Sequence, residues 1–217
     1  MTPPTVRMVC FDWGGVILRI CRSWAEGCAA ASLPVRGEVA APELIGARKA
    51  VHALYQNGRI PCDEFFDRIA ATMDGRYSPA EVRRIHDAWL LGEYPGVDRL
   101  VDDLHTLKNV RTGMLSNTNH SHWSRQSPAP GLPHFPTAAR LHCRHASHVL
   151  GLSKPGTEIY GAFEHETGEA PAAILFFDDL AENIDAARAR GWRAEQIDFT
   201  GDTAAQMRTH LRTYGVM

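Results

Sequence analysis

Residues 6–15, VRMVCFDWGG, decide the fold of this 217-residue chain. The first six residues are mostly apolar and favour a β-strand, as expected for a strand buried inside a parallel sheet. The strand ends abruptly at Asp12, and Trp13, Gly14 and Gly15 follow it. An acid and two glycines directly after a buried strand indicate a functional turn at the edge of a sheet.

Two later segments repeat this pattern of a short apolar strand that ends in polar residues. Residues 111–115 form a predicted strand that ends at Ser116–Asn117, and residues 173–177 form another that ends at Asp178–Asp179. Helical patterns separate these strands. Strands that alternate with helices predict an α/β fold with a doubly wound parallel sheet.

The segment between the first two of these strands has a helical pattern throughout. It shows no strand-like alternation, and it begins near Ser23 and runs to about Leu91. Ser78 followed by Pro79 is a typical helix start. We therefore predict an α/β core of residues 1–20 and 92–217, with an all-helical cap of residues 21–91 inserted after the first strand. The helices predicted in the cap are 42–55, 62–73 and 79–91.

The strand ends together predict a phosphate-handling metal site. Ligands bind beyond the carboxyl ends of strands in open parallel sheets, so Asp12, Ser116 and Asp178–Asp179 meet there if their strands are neighbours. Lys154, at a predicted helix start, joins them. Crowded carboxylates need a cation, and an all-oxygen ligand set favours Mg²⁺. A carboxylate beside that cation can attack phosphorus and form an acyl phosphate.

Four segments resemble, in order, the motifs of the haloacid dehalogenase superfamily. They are Phe11–Val16, Leu115–Asn117, Lys154–Pro155 and Phe176–Asp179, the last followed by Glu182–Asn183. Longer matches at 57–65, 115–119 and 176–184 resemble a bacterial subgroup. That subgroup contains the α-D-glucose-1-phosphate phosphatase and is related to the N-terminal phosphatase domain of soluble epoxide hydrolase. The resemblance implies a Rossmann-like core with a helical cap.

The resemblance also implies roles for the acidic residues. Asp12 would be the nucleophile. Asp12, the backbone carbonyl of Gly14 and Asp179 would bind Mg²⁺, with Asp178 close by. Asn183 would support the metal site from the helix that follows.

Substrate contacts are implied for a second set of residues. Ser116 and Asn117 would hold the transferring phosphoryl group, and Lys154 would be the lysine of the third motif. Trp13 either lines the substrate pocket or packs between core and cap.

One position departs from the family pattern. Typical phosphatases of this superfamily have a second Asp two residues after the nucleophile, which serves as general acid and base, and here that residue is Gly14. Glycine offers a backbone carbonyl but no proton. Leaving groups of low pKa need less protonation, and a histidine of the cap or of the loop near His120 and His122 is a candidate substitute.

Three functions stay open from the sequence. The first is a Mg²⁺-dependent phosphatase for a small phosphorylated metabolite, with a sugar phosphate as one candidate. The second is a 2-haloacid dehalogenase, in which Asp12 attacks carbon without a metal; dehalogenases tend to have tyrosine where Gly14 stands. The third is a non-catalytic protein that keeps the fold and binds a ligand or partner.

Composition and net charge limit the kinds of partner that we expect for this protein. A net charge of −2 gives no basic footprint for a nucleic acid, and the chain has no apolar run long enough to span a membrane. Five cysteines without C-x-x-C spacing predict reduced thiols and a cytoplasmic location. We expect a monomer or a homodimer. The histidine-rich segment 120–148 contains several prolines and is expected to be a solvated loop rather than a metal site. One short helix, a short strand at 141–146 and a pocket-facing His120 or His122 are also expected in it.

Overall fold

A computed structural model describes residues 5–37 and 42–217. The strands are β1 (Met8–Phe11), β2 (Leu18–Ile20), β3 (Leu90–Glu93), β4 (Arg111–Ser116), β5 (Cys143–Ala146), β6 (Ile174–Asp178) and β7 (Arg193–Gln196). The α-helices are α1 (Trp24–Ala30), α2 (Pro42–Gln56), α3 (Cys62–Ala71), α4 (Pro79–Asp87), α5 (Val97–His105), α6 (His120–Trp123), α7 (Ser147–Leu150), α8 (Thr157–Thr167), α9 (Ala181–Ala189) and α10 (Thr203–Thr213).

The core of the fold is a parallel five-stranded sheet in the order β5-β4-β1-β6-β7. The strand β1 lies at its centre, and Phe11 pairs with Met114 on one side and with Phe177 on the other. This register brings the carboxyl ends of β1, β4 and β6 to the same edge of the sheet. The predicted doubly wound α/β fold is therefore confirmed.

Both faces of the sheet are covered because successive side chains of β1 point in opposite directions. Val9 and Phe11 belong to a buried cluster that includes residues of α5 and α10. Met8 and Cys10 belong to another cluster, which includes residues of α8 and α9. The strand is thus apolar along its whole length, as a central parallel strand must be.

Helices α1, α3 and α4 form a separate helical unit together with α2. Its own buried cluster includes Phe65, Phe66, Ile69 and Ile85. At the start of α4, Ser78 and Glu81 form a reciprocal capping box. The antiparallel pair β2–β3 lies at the base of this unit, where the chain leaves the core and returns to it.

The predicted end of the last cap helix, at Leu91, was wrong. Helix α4 stops at Asp87, and the chain then forms β3, whose partner is β2. Strands β2 and β3 have only three and four residues, so an alternation of apolar and polar side chains cannot be detected in them. The sequence interpretation also missed the edge strand β7, with its polar residues, and helix α10.

We also examined whether any helix could span a membrane. Within residues 5–37 and 42–217, no helix is both long and apolar enough to cross a bilayer.

Candidate active site

Asp12 and Lys154 face each other at the centre of the sheet edge. Asp12 follows β1 directly, and its backbone N–H donates to the carbonyl of Phe177 at 2.8 Å. The ammonium of Lys154 lies 2.9 Å from Oδ1 of Asp12 and 2.6 Å from Oδ2 of Asp178. The Lys154 side chain is 1% exposed, so its charge is balanced by these two carboxylates rather than by water. The structure thus brings three of the predicted residues into direct contact.

Asn117 holds the lysine in place. Its side-chain amide donates to the carbonyl of Lys154 at 2.8 Å, and its Oδ1 accepts from the backbone N–H of Lys154 at 2.9 Å. Both polar ends of the Asn117 side chain are therefore engaged by Lys154. Asn117 also lines the adjoining cavity together with Ser116. The predicted contact of Asn117 with the phosphoryl group stays a prediction, and its backbone N–H rather than its side chain is available for it.

Asp178 is enclosed by donors. Besides Lys154, it accepts from both Asn183 Nδ2 at 3.0 Å and the backbone N–H of Leu180 at 2.9 Å. The residue is completely buried. Helix α9 starts directly after Leu180, so the start of this helix places Asn183 against the carboxylate. The side-chain amide of Asn183 thus holds the Asp178 carboxylate, and its predicted support of a metal site stays a prediction.

Asp179 has a different partner, Arg22, which the sequence interpretation missed. The guanidinium of Arg22 donates to Oδ2 of Asp179 at 2.6 Å and lies over the ring of Phe199, 3.8 Å from its centroid. Arg22 follows β2, so it reaches the site through the β2–β3 pair that the sequence did not reveal. Because Arg22 follows a strand of only three residues, the sequence around it gives no indication that it belongs to the site.

The three carboxylates fit a divalent cation. One ligand oxygen from each of Asp12, Asp178 and Asp179 lies within 4.8 Å of the others, and all three residues are buried. Lys154 and Arg22 supply two positive charges against three negative ones. The all-oxygen donor set and the remaining negative charge suit Mg²⁺.

Burial shapes the ionisation of this cluster. It raises the pKa of Asp12 from 3.8 to about 7, although Lys154 opposes the shift. Burial lowers the pKa of the Lys154 ammonium, but Asp12 and Asp178 outweigh it and raise that pKa above its usual value. Burial also raises the pKa of Asp179, against the opposing effect of Arg22. Lys154 is thus firmly charged, whereas Asp12 needs further positive charge to be fully ionised at neutral pH.

Position 15 requires a glycine because the side chains of Asp179 and Arg22 lie directly against it. Its φ is +87°, and an added Cβ would lie 2.5 Å from Cγ and Oδ2 of Asp179 and 2.6 Å from Nη2 of Arg22. Gly15→Ala is expected to lower the free energy of unfolding by about 2–4 kcal/mol, since backbone strain and displacement of the ion pair add together. Gly168→Ala is the matched control, because Gly168 has a φ of +71° but nothing within 4 Å of the added Cβ. Equal losses of Tm in the two variants would show that the contact with Asp179 has no energetic role.

A cavity of about 290 Å³ begins beside Asp12, at the next two residues of the chain, Trp13 and Gly14. It lies between the sheet edge and the helical unit, since Trp13, Gly14 and Ser116 line it from one side and Trp24 and Phe65 from the other. Trp13 is buried and packs edge-to-face against Trp123, with ring centroids 6.5 Å apart. Both interpretations of Trp13, pocket lining and packing, therefore apply.

The histidine-rich segment contains the expected short helix and short strand, but it is more buried than expected, so its description as a solvated loop was wrong. It contains α6, β5 and α7, and Arg125, Gln126 and His145 within it are buried. His122 lines the cavity and stacks on His86 of α4. The prolines of the segment hid these tertiary contacts from a sequence-based assignment.

Comparison with known proteins identifies the family. The model of the haloacid dehalogenase-like hydrolases matches residues 6–191. The chain belongs to this family. The predicted superfamily resemblance is thereby confirmed, whereas the subgroup stays a prediction.

Similar proteins agree with that assignment. The chain is 32% identical over 158 residues to the phosphatase MT3486 of Mycobacterium tuberculosis, an alignment that covers 72% of this chain and 70% of that protein. A haloacid dehalogenase family enzyme of Bacteroides thetaiotaomicron, BT-2542, has the same fold, with a TM-score of 0.75, 19% identity and coverage of 94% of this chain and 100% of that one. Another structure of BT-2542 contains magnesium and inorganic phosphate.

The fold alone also matches a dehalogenase. The L-2-haloacid dehalogenase of Xanthobacter autotrophicus aligns with a TM-score of 0.63 at 15% identity, over 98% of this chain and 85% of that one. The fold of the family therefore does not separate phosphorus from carbon chemistry.

Gly14 has an aliphatic neighbour close to the place where a side chain would begin. A Cβ at Gly14 would lie 3.0 Å from Cδ1 of Ile20, and both residues line the cavity. An aliphatic side chain of β2 therefore occupies the space next to the position of the usual acid and base.

Proposed function

We propose that the protein is a Mg²⁺-dependent phosphatase that hydrolyses a small phosphate ester through an aspartyl phosphate on Asp12. The convergence of Asp12, Asp178 and Asp179 around the buried Lys154 carries this proposal. The relative named as a phosphatase supports phosphorus over carbon as the site of attack.

Each residue has a defined part in this reaction. A carboxylate oxygen of Asp12 attacks phosphorus while the bond from phosphorus to the ester oxygen breaks, and the bonding electrons leave with that oxygen. Water then attacks the phosphorus of the aspartyl phosphate, which releases inorganic phosphate and restores Asp12. Lys154 holds Asp12 in position and offsets negative charge, and Ser116 offers its hydroxyl at the cavity wall.

The metal would be held by Asp12, Asp179 and the carbonyl of Gly14, with Asp178 behind them. When bound, Mg²⁺ supplies positive charge that stabilises ionised Asp12 and the phosphate oxygens. Asn117 positions Lys154, and Asn183 positions Asp178.

We assign residues 21–91 to a cap domain on the core of residues 1–20 and 92–217. The separate apolar cluster of the helical unit and its attachment through β2 and β3 support this division. In this arrangement, the cap covers the leaving group of the substrate. The carboxylates of the core would contact the phosphate.

Phosphate release from a panel of esters, measured with Mg²⁺ and with EDTA, tests the proposal. The panel includes phenyl phosphate and sugar phosphates, since the sequence resemblance implied the latter. We expect removal of Mg²⁺ to lower kcat/KM by about 10²-fold or more, because the metal contributes several kcal/mol to the transition state. Unchanged rates in EDTA, or release of chloride from 2-chloropropionate without a metal, would refute the proposal.

A further inference from the structure

The wall of the cavity carries no formal charge at neutral pH. None of the described residues that line it is Asp, Glu, Lys or Arg. Beside the polar side chains of His52, Gln56 and His86, aromatic and aliphatic side chains dominate the part formed by the helical unit, β2 and β3: Leu18, Ile20, Trp24, Phe65, Ile69, Val82, Ile85, Trp89 and Leu90. A charged group that entered this space would lose its hydration without gaining a partner of opposite charge.

The size of the cavity sets the size of its ligand. An engineered apolar cavity of about 150 Å³ holds one benzene molecule. The cavity here, at about 290 Å³, has room for a flat group of one or two rings. A sugar of similar size carries several hydroxyl groups. Those that faced Ile20, Phe65, Ile69, Val82, Ile85 and Leu90 would have no polar partner, whereas the polar side chains of the wall are His52, Gln56, His86, Ser116, Asn117, Thr118, Asn119 and His122.

Gly14 points to the same kind of leaving group for a separate reason. With no carboxyl at this position to protonate the departing oxygen, esters whose oxygen has a low pKa react most readily. A phenol has a pKa of about 10, whereas water and simple alcohols lie near ~16. An aryl-type oxygen therefore leaves with less help from a proton than an ordinary alcohol oxygen, such as the 6-oxygen of glucose.

His122 is fixed and has its ring nitrogens engaged. Its Nε2 donates to the carbonyl of His86 at 2.9 Å, which leaves Nδ1 to accept from Asn119 Nδ2 at 3.4 Å. Burial lowers the pKa of His122 to about 4, so the ring is neutral at pH 7. His122 thus acts as a flat, uncharged platform.

His86 stacks on that platform without a partner for either nitrogen. The two rings are 3.8 Å apart between centroids, and His86 is 6% exposed. Neither Nδ1 nor Nε2 of His86 has a hydrogen-bond partner among the described residues, although the ring lines the cavity. Burial keeps the pKa of His86 well below its usual value, and the neighbouring His122 lowers this pKa further. A neutral imidazole with a free donor and a free acceptor is costly to bury unless a ligand satisfies it.

We propose that the substrate is a phosphate monoester of an uncharged, flat, apolar group with an aryl-type ester oxygen, and that His86 forms a hydrogen bond with a polar substituent on that group. This inference rests on the proposed phosphatase function for the ester bond. The fit of the leaving group to the cavity is independent of catalysis. The two parts can therefore be tested separately.

Binding of the leaving group alone tests the cavity. We expect 2,6-dihydroxynaphthalene to bind the wild-type protein about three- to tenfold more tightly than 2-naphthol in calorimetry, the value of one neutral hydrogen bond. His86→Phe should abolish this difference, and His86→Gln, which keeps a donor and an acceptor, should retain part of it. His165→Phe, on the exposed side of α8, is the matched control and should leave the difference unchanged.

Turnover tests the substrate class. We expect kcat/KM for 2-naphthyl phosphate to exceed that for glucose 6-phosphate. Phenyl phosphate should exceed phosphotyrosine by about tenfold or more, since the two share a leaving oxygen but only phosphotyrosine carries charges into the cavity.

The outcomes separate the two proposals. Higher kcat/KM for the sugar phosphate or for phosphotyrosine, or equal affinity of both naphthols for the wild-type protein, would overturn the inference while leaving the phosphatase intact. Absence of phosphate release from every ester, with naphthol binding as expected, would overturn the phosphatase but keep the cavity assignment. A naphthol preference that persists in His86→Phe would overturn the role of His86.

Discussion

Asp12→Asn is expected to abolish phosphate release and, in the absence of Mg²⁺, to stabilise the protein. The amide keeps the shape of the carboxylate but cannot attack phosphorus, so kcat/KM should fall by at least about 10³-fold. Burial raises the pKa of Asp12 from 3.8 to about 7. The folded protein therefore holds the Asp12 proton more tightly than the unfolded chain, and ionised Asp12 costs stability at neutral pH.

The raised pKa of Asp12 determines how the stability difference between Asp12→Asn and the wild type changes with pH. The stability associated with protonated Asp12 is fully present below pH 3.8 and is lost as pH rises through about 7. Asp12→Asn removes that loss, so its advantage in Tm over the wild type should grow across this range and reach at least about 2 °C at roughly pH 8. Asp67→Asn on the exposed side of α3 is the control and should leave both Tm and activity unchanged.

A result with Asp12→Asn less stable than the wild type at every pH would contradict the electrostatic description of the site. Retained phosphate release would contradict the nucleophile assignment. Since the two readouts are independent, each part of the prediction fails separately.

The strand-end residues of the site were predictable because buried parallel strands have a strong local signature. Asp12, Ser116 and Asp178 each terminate an apolar run, and topology rules then bring those ends together. Lys154 was placed with them from its position at a predicted helix start, and the resemblance to the family pointed to the same residue. The sequence therefore indicated which groups meet and which chemistry they support.

The residues that were missed depend on contacts between distant segments. Arg22 reaches Asp179 across 157 positions of the chain through a strand pair too short to detect. His86 belongs to an ordinary amphipathic helix, and its environment is set by ring contacts with Phe65 and Phe66 of α3 and with His122 of the distant segment. The two hydrogen bonds of the Asn117 side chain to the backbone of Lys154 also join segments that lie far apart in the chain, and no local pattern indicated them.

Lys154→Met is expected to destabilise the fold and impair catalysis together. Methionine matches the length and apolar stem of lysine but removes the ammonium that contacts both Asp12 and Asp178. Removal of one partner from a buried ion pair costs about 3–5 kcal/mol, which corresponds to a fall in Tm of about 6–20 °C for a chain of this size. Phosphate release should fall by about 10²-fold or more, as for loss of one preorganised charge.

Lys108→Met is the control for the chemical change itself. Lys108 is exposed, between α5 and β4, and its replacement should change the free energy of unfolding by no more than about 0.5 kcal/mol. A similar loss of Tm in the two variants would mean that Lys154 has no special electrostatic role.

The double variant Asp12→Asn with Lys154→Met separates charge from packing. If the cost of Lys154→Met arises from two buried carboxylates left without a cation, the neutral amide at position 12 removes one of them, and the double variant should lose less stability than Lys154→Met alone. If the cost arises from the shape of the methionine side chain, the second substitution should give no relief. Thermal unfolding of the four proteins at mildly alkaline pH without Mg²⁺ measures this coupling, and a coupling near zero would show that Asp12 and Lys154 act independently despite the 2.9 Å between them.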